Sequence, residues 1–314
     1  MRTAVLSALT LLTVLASACG AGAPVQPTPR PTPSTAAVQA TSAFPVSVTD
    51  DAGRTLTLAR EPQRIVSLAS SNTEILFALG LGDRVVGVDQ YSDFPPPARE
   101  KPRVGSFVKP DMEKILALEP DLVLATEMHV KTALPDLEKR GLATMVVTPK
   151  GVKAVLDAIK LVGKATGRQK EAEELTSTMA ARIAAVEARS KGSPSVRTFF
   201  ELSPELHTAG PGSFVDDMIR LAGGSNIAAG AGKEWPQLSQ EALLVADPEV
   251  ILLADHGSSG GQSPQSVAAR PGWQQITAVK MGRVYEIDPD LTNRPGPRVV
   301  DGLEMIADKL HPTR

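Results

Sequence analysis

The sequence predicts an α/β fold of two related lobes, each built on a mostly parallel sheet, joined by one long rigid helix with a ligand cleft between them. Three observations carry this. Residues 168–191 contain no Pro and no Gly, and they place Ala172, Leu175, Met179, Ile183 and Val186 at steps of three and four, one stripe on one helix face. At about 1.5 Å per residue such a helix spans roughly 36 Å, the diameter of a small domain. On either side of it one pattern occurs twice: Glu113 opens EKILALEPDLVLA and Glu241 opens EALLVADPEVILLA, 128 residues apart. Each copy reads as a short helix, an acid-Pro stop and a buried apolar strand. The third observation is a second repeated pair, SNTEILFALGLGDRVVG at residues 71–87 and GSFVDDMIRLAGGSNIA at 212–228. A duplicated α/β unit follows.

The 314 residues suit two domains, each large enough to bury its own core. A charged fraction of 22% and a net charge of −2 provide no field that selects nucleic acid or an acidic membrane. Residues 1–19 read as a lipoprotein signal peptide. Arg2 is the positive start, residues 4–16 are apolar apart from small hydroxyl residues and too few to span a bilayer as a permanent anchor, and Ala16, Ser17 and Ala18 precede Cys19, the single cysteine. The arrangement resembles a lipobox, in which Cys19 takes a diacylglyceryl group, although Ala16 stands where leucine is more usual. Residues 20–43 are a Pro/Thr-rich tether that lacks the apolar surface to fold; extended as polyproline II it reaches about 70 Å.

The folded body then reads in order. Residues 44–58, FPVSVTDDAGRTLTL, are two alternating runs around a turn, a hairpin signal. A strand at 64–68, a turn at 69–72, a helix at 73–79 and a strand at 84–88 follow. A loop-rich segment holds Tyr91, Phe94 and Phe107 among prolines. Helix 112–118, strand 122–126, helix 134–139 and strand 144–148 complete an N-terminal lobe at 44–150, before linking helices at 151–191 with the spine at about 168–191. The C-terminal lobe, 192–314, has strands near Arg197, Val250 and Val284 and closes on a helix at 297–310. In open α/β sheets ligands bind at the carboxyl ends of the strands, which here selects loops 69–72, 89–94, 127–130, 204–213, 255–261 and 288–297. Aromatics are only 4% of the chain, yet Tyr91, Phe94, Phe107, Trp235 and Trp273 fall in predicted loops.

RIVSLASSNTEILFALGLGDRVVGVDQYSDFPPPA, PDMEKILALEPDLVLA, LHTAGPGSFVDDMIRLAGGSNI, EWPQLSQEALLVADPEVILL and NRPGPRVVDGL occur in this order over residues 45–311. Together they resemble the cobalamin and ferric-siderophore group of ABC-importer substrate-binding proteins, most closely the cobalamin-binding type. The resemblance implies two Rossmann-like lobes on a rigid helix with limited hinge closure. By motif position it implies ligand contacts from Tyr91, Asp93, Phe94, Phe107, His207 and Trp235, with Arg294 as a polar anchor. Thr126 and His207 stand where cobalamin binders often carry aromatics. Glu113 and Glu241, one per lobe, are implied to dock into arginine pockets of a dimeric permease; a carboxylate in a first helical turn also stabilises that helix unaided. The implied cargo is cobalamin or another corrinoid, then a ferric siderophore, then haem, with no permanently bound cofactor.

His129 and His207 fall on loops of opposite lobes and have the chemistry to ligate a metal or a haem iron, whereas loop histidines are ordinarily solvated. Gly257 to Gly261 formally matches G-x-S-x-G, with Asp301 and His311 following in hydrolase order. A nucleophile elbow needs Ser259 on a tight strand-to-helix turn, and Pro264 delays any helix, so no enzyme is expected. A peptide-binding adhesin is the remaining alternative. The expected protein is a monomer outside the cytoplasm, anchored by lipid to the cell membrane, and periplasmic where the envelope has two membranes.

Overall fold

The computed structural model describes residues 44–255 and 262–312. Cys19, the tether and Ser259 lie outside the described residues. A hairpin of β1 (Val46–Thr49) and β2 (Thr55–Leu58) opens the body, as its alternating pattern predicts. Asp50 sets the turn by accepting the Ala52 and Arg54 amides, and its other oxygen accepts the Val146 amide. One carboxylate thereby ties the hairpin to the first sheet.

That sheet contains β3 (Ile65–Ser67), β4 (Val85–Val88), β5 (Leu122–Ala125) and β6 (Thr144–Val146), all parallel, in the order β4-β3-β5-β6. The second sheet contains β7 (Val196–Glu201), β8 (Gly224–Asn226), β9 (Val250–Leu253) and β10 (Val284–Glu286), also parallel, in the order β8-β7-β9-β10. Each sheet runs second, first, third, fourth strand of its lobe, so the duplication read from two sequence repeats extends to topology. β8 has no strand signal in the sequence, because Gly-Ser-Asn carries no β-branched or aromatic residue; pairing with β7 makes it a strand.

The linking segment is a helical hairpin. Val152–Thr166 and Gln169–Ser190 turn at Gly167, whose φ of 71° favours glycine, and they run antiparallel, with Lys153 bonded to Glu187. A Cβ on Gly163 would stand 2.5 Å from that of Ala172, so only glycine allows this close approach. The buried stripe of the longer helix is Ala172, Thr176, Met179, Ile183 and Val186, with Thr176 taking the place expected for Leu175, which is half-buried. The Thr176 hydroxyl is satisfied by the Ala172 carbonyl at 2.7 Å. At 22 residues the helix is about 33 Å long. Val299–Leu310 packs beside its C-terminal half, with Arg182 paired to Asp301 and Glu304.

One apolar core runs from Ile65 and Leu76 through Val162 and Met179 to Val300 and Leu303, beneath both sheets and around the hairpin. The opposite faces have separate cores, one around Val66, Val123 and Leu137 and one around Phe199, Ile251 and Trp273. Trp273, read from the sequence as a loop aromatic, is a fully buried plug against Phe199.

Candidate ligand cleft

Among the described residues, Tyr91, Phe94, Val108, Met128 and Trp235 are large apolar side chains exposed on loops that follow β4, β5 and β8. Apolar side chains gathered on the carboxyl-end loops of parallel strands are the composition of a ligand wall. The two edges meet, because the segment after β10 reaches the loops after β3 and β4.

Tyr91 belongs to a loop with a buried polar foundation. Asp89 accepts the Ser92 hydroxyl and, at 3.0 Å, the Tyr91 amide. Ser92 contacts the Thr73 hydroxyl at 2.7 Å, Thr73 donates to Ser67 at 2.8 Å, and Ser67 donates to the Ala69 carbonyl. Arg103 donates to the carbonyls of Asp89 and Ser92. Burial pushes the Asp89 carboxyl above its usual range, against the pull of Ser92 and the Tyr91 amide. Tyr91 thus stands on a scaffold of side-chain bonds while its own ring is 53% exposed.

Asp93 and Phe94 meet Arg294 and Arg298, respectively, across the gap. Arg294 lies 2.5 Å from Asp93, 2.7 Å from Asp290 and 3.7 Å from Glu74. Arg298 holds buried Glu74 with two bonds, at 2.9 and 2.6 Å, and its guanidinium lies 4.0 Å above the Phe94 ring. Arg294, implied as a polar anchor for a ligand, is thus already in contact with three carboxylates, and through Asp93 and Glu74 it links the lobes.

Phe107 is half-buried with its ring edge on His129 at 5.4 Å. His129 is fully buried: its Nδ1 accepts the Thr126 amide at 3.0 Å, which leaves Nε2 to donate to the Phe107 carbonyl at 2.7 Å. With both nitrogens engaged, His129 is unavailable to a metal, which corrects the expectation that it could ligate one. His207 is exposed, with Nδ1 2.9 Å from the Ser203 hydroxyl. Backbone bonds from Thr208 to Pro236 and from Gly210 to Glu234 join its segment to the one bearing Trp235, which is 51% exposed. A Cβ on Gly210 would lie 2.2 Å from the Lys233 carbonyl, so glycine is required there. Among the described residues no cluster of three or more His, Cys, Asp or Glu is placed to hold a metal.

The sequence profile described as periplasmic binding protein matches residues 65–291, which include both sheets and every candidate contact up to Trp235. The chain belongs to the periplasmic binding protein family. It is 33% identical over 320 residues to an uncharacterized ABC transporter substrate-binding lipoprotein, YvrC, of Bacillus subtilis, covering 99% of this chain and 98% of that one. The crystal structure of the periplasmic vitamin B12 binding protein BtuF of Vibrio cholerae matches with a TM-score of 0.70 and 30% identity, over 79% of this chain and 96% of that one. The periplasmic heme-binding protein RhuT of Roseiflexus sp. RS-1 matches with a TM-score of 0.71 and 30% identity, over 79% and 97%. This chain is an ABC transporter substrate-binding protein of that family, and each of the named relatives is described as a binding protein.

In this member, Glu113 and Glu241 occupy matching places. Each lies in the first turn of the helix before the third strand of its lobe, in Met112–Ala117 capped by Asp111 and in Gln240–Ala246 capped by Ser239. Both are exposed, with no ion pair among the described residues. The Glu241 carboxyl is held below its usual range by its own backbone amide and the Ser239 hydroxyl. Sequence reasoning missed Asp89, Glu74 and Arg298. The one available signal was an acid, Glu74, set directly before the apolar run Ile75, Leu76, Phe77, Ala78 and Leu79, since a buried carboxylate needs a cation.

Proposed function

We propose that the chain captures a corrinoid such as cobalamin outside the cytoplasm and delivers it to an ABC permease. The observation that supports this reading is the pair of half-exposed rings, Tyr91 and Trp235, one on the carboxyl-end loops of each sheet. A large flat ligand covers such rings from both sides. Covering about 100 Å² on each at roughly 25 cal/mol/Å² contributes on the order of 5 kcal/mol. Micromolar affinity corresponds to about 8 kcal/mol, so polar contacts along the ligand rim supply the remainder. Haem is the second reading, favoured by the match to a haem-binding structure at the same identity as the B12-binding one.

Native mass spectrometry and tryptophan-quenching titrations with cyanocobalamin, haemin and a ferric hydroxamate test the reading. Tightest binding of cyanocobalamin is expected; preference for either other probe overturns the corrinoid assignment. Tyr91→Ala and Trp235→Ala each weaken the preferred ligand between ten- and a hundredfold. Glu113 and Glu241 serve as the permease contacts, and a lipid on Cys19 holds the protein at the membrane. Glu113→Ala combined with Glu241→Ala is expected to leave ligand affinity unchanged and to reduce uptake in cells; undiminished uptake removes the docking role. The protein acts as a monomer and leaves its ligand chemically unchanged.

A further inference from the structure

The ion pairs that directly join residues 44–150 to residues 192–312, among those described, are Arg294–Asp93, Arg294–Glu74 and Arg298–Glu74. All belong to one cluster. Glu74 lies in Ser70–Ala78, the helix that leaves β3, so its position is fixed by the N-terminal sheet. The guanidinium that grips it comes from the opposite lobe and covers Phe94, three residues from Tyr91. Between the two arginines, a Cβ on Gly296 would lie 3.3 Å from the Ser71 carbonyl, so the backbone itself packs closely across the gap. The shared core around the helical hairpin is the other attachment, and it lies beneath the sheets.

We propose that Arg298, with Arg294 beside it, is a positioning residue that sets the width of the cleft and the pose of its aromatic loop. It acts through Glu74 and Phe94 rather than by touching the ligand. Three properties of the site support this. The Arg298–Glu74 contact is bidentate, so it fixes an angle as well as a distance. The same guanidinium stacks on Phe94, joining the lobe-to-lobe grip to the loop that presents Tyr91. That loop is already anchored from below by Asp89 and Ser92, so it moves as a unit with the grip. A lysine supplies charge without the planar fork or the stacking face. The effect on ligand binding rests on the substrate-binding reading above; the effect on lobe geometry does not.

The test uses the full chain carrying Cys19→Ser, with spin labels at Arg140→Cys and Met281→Cys, one exposed position in each lobe. Distance distributions without ligand, and titration with cyanocobalamin, are compared for the parent, Arg298→Lys, Arg298→Gln and the swap of Glu74→Arg with Arg298→Glu. A broader inter-lobe distribution in both single variants is expected, with affinity at least tenfold weaker, and the swap recovering part of each. Parent-like distributions in Arg298→Lys and Arg298→Gln overturn the proposal, as does a broadened distribution with unchanged affinity. Broadened distributions in a chain whose parent binds none of cyanocobalamin, haemin or ferric hydroxamate uphold the lobe geometry and refute the ligand reading instead. Should Arg298→Gln fail to fold, the Lys variant and the swap still decide.

Discussion

The same three-part stack occurs twice in this molecule. Inside the C-terminal lobe, Arg270 holds Glu201 with two bonds, at 2.7 and 2.6 Å, and lies 4.5 Å from the ring of Trp273. Across the gap, Arg298 holds Glu74 in the same manner above Phe94. Both carboxylates are buried, and burial raises both above the usual range against the pull of their arginines. The rings differ: Trp273 is 1% exposed and Phe94 is 40% exposed. Identical chemistry thus closes a core in one place and spans two bodies in the other. Location decides the consequence, because the two guanidiniums are equally exposed, at 17% and 18%, and only one of the pairs joins two lobes: breaking it loosens one body from the other, whereas breaking the pair inside a lobe leaves that lobe's own packing around it.

Glu201→Ala leaves the partly exposed Arg270 guanidinium without its carboxylate inside one lobe and is expected to cost about 3 kcal/mol, read from the urea midpoint, with ligand affinity of the folded fraction unchanged. Glu74→Ala is expected to cost less stability, about 1–3 kcal/mol, because separation of the lobes rehydrates Arg298, but to weaken ligand binding. Equal stability losses with equal affinities would erase the contrast between the two stacks. The smallest effect is expected at His129. Burial holds its pKa below 6.5, against the Phe107 carbonyl and the Asp89 carboxylate, which favour protonation. The unfolded chain then binds the proton more readily, so this contribution is intact above about pH 6.5 and is lost as pH falls through the folded value. Urea midpoints between pH 7.5 and 5 should decline less in His129→Gln than in the parent.

Much of the fold was legible because it was written twice. The EP-D and DP-E stops after the helices at Glu113 and Glu241 marked β5 and β9, and the stripe from Ala172 to Val186 marked the long linking helix. β8 was not legible, since its conformation comes from β7 rather than from Gly224, Ser225 and Asn226. In the cleft, the loop position of Tyr91 and Trp235 was readable from proline and glycine neighbours. The role of Arg294 was not, because a guanidinium in R-P-G-P-R gives no sign of a carboxylate 201 residues away in the chain. His129 misled for a related reason: a loop residue is solvated by default, and only the fold brings the Phe107 carbonyl to its Nε2.

The continuous apolar layer under both sheets carries a consequence for how such a chain is inherited and handled. Severed near residue 191, either piece would bare its share of that layer to solvent, so neither half should be recoverable alone in soluble form. An ancestral single unit therefore needed a different partner for that face, and the simplest is a twin of itself.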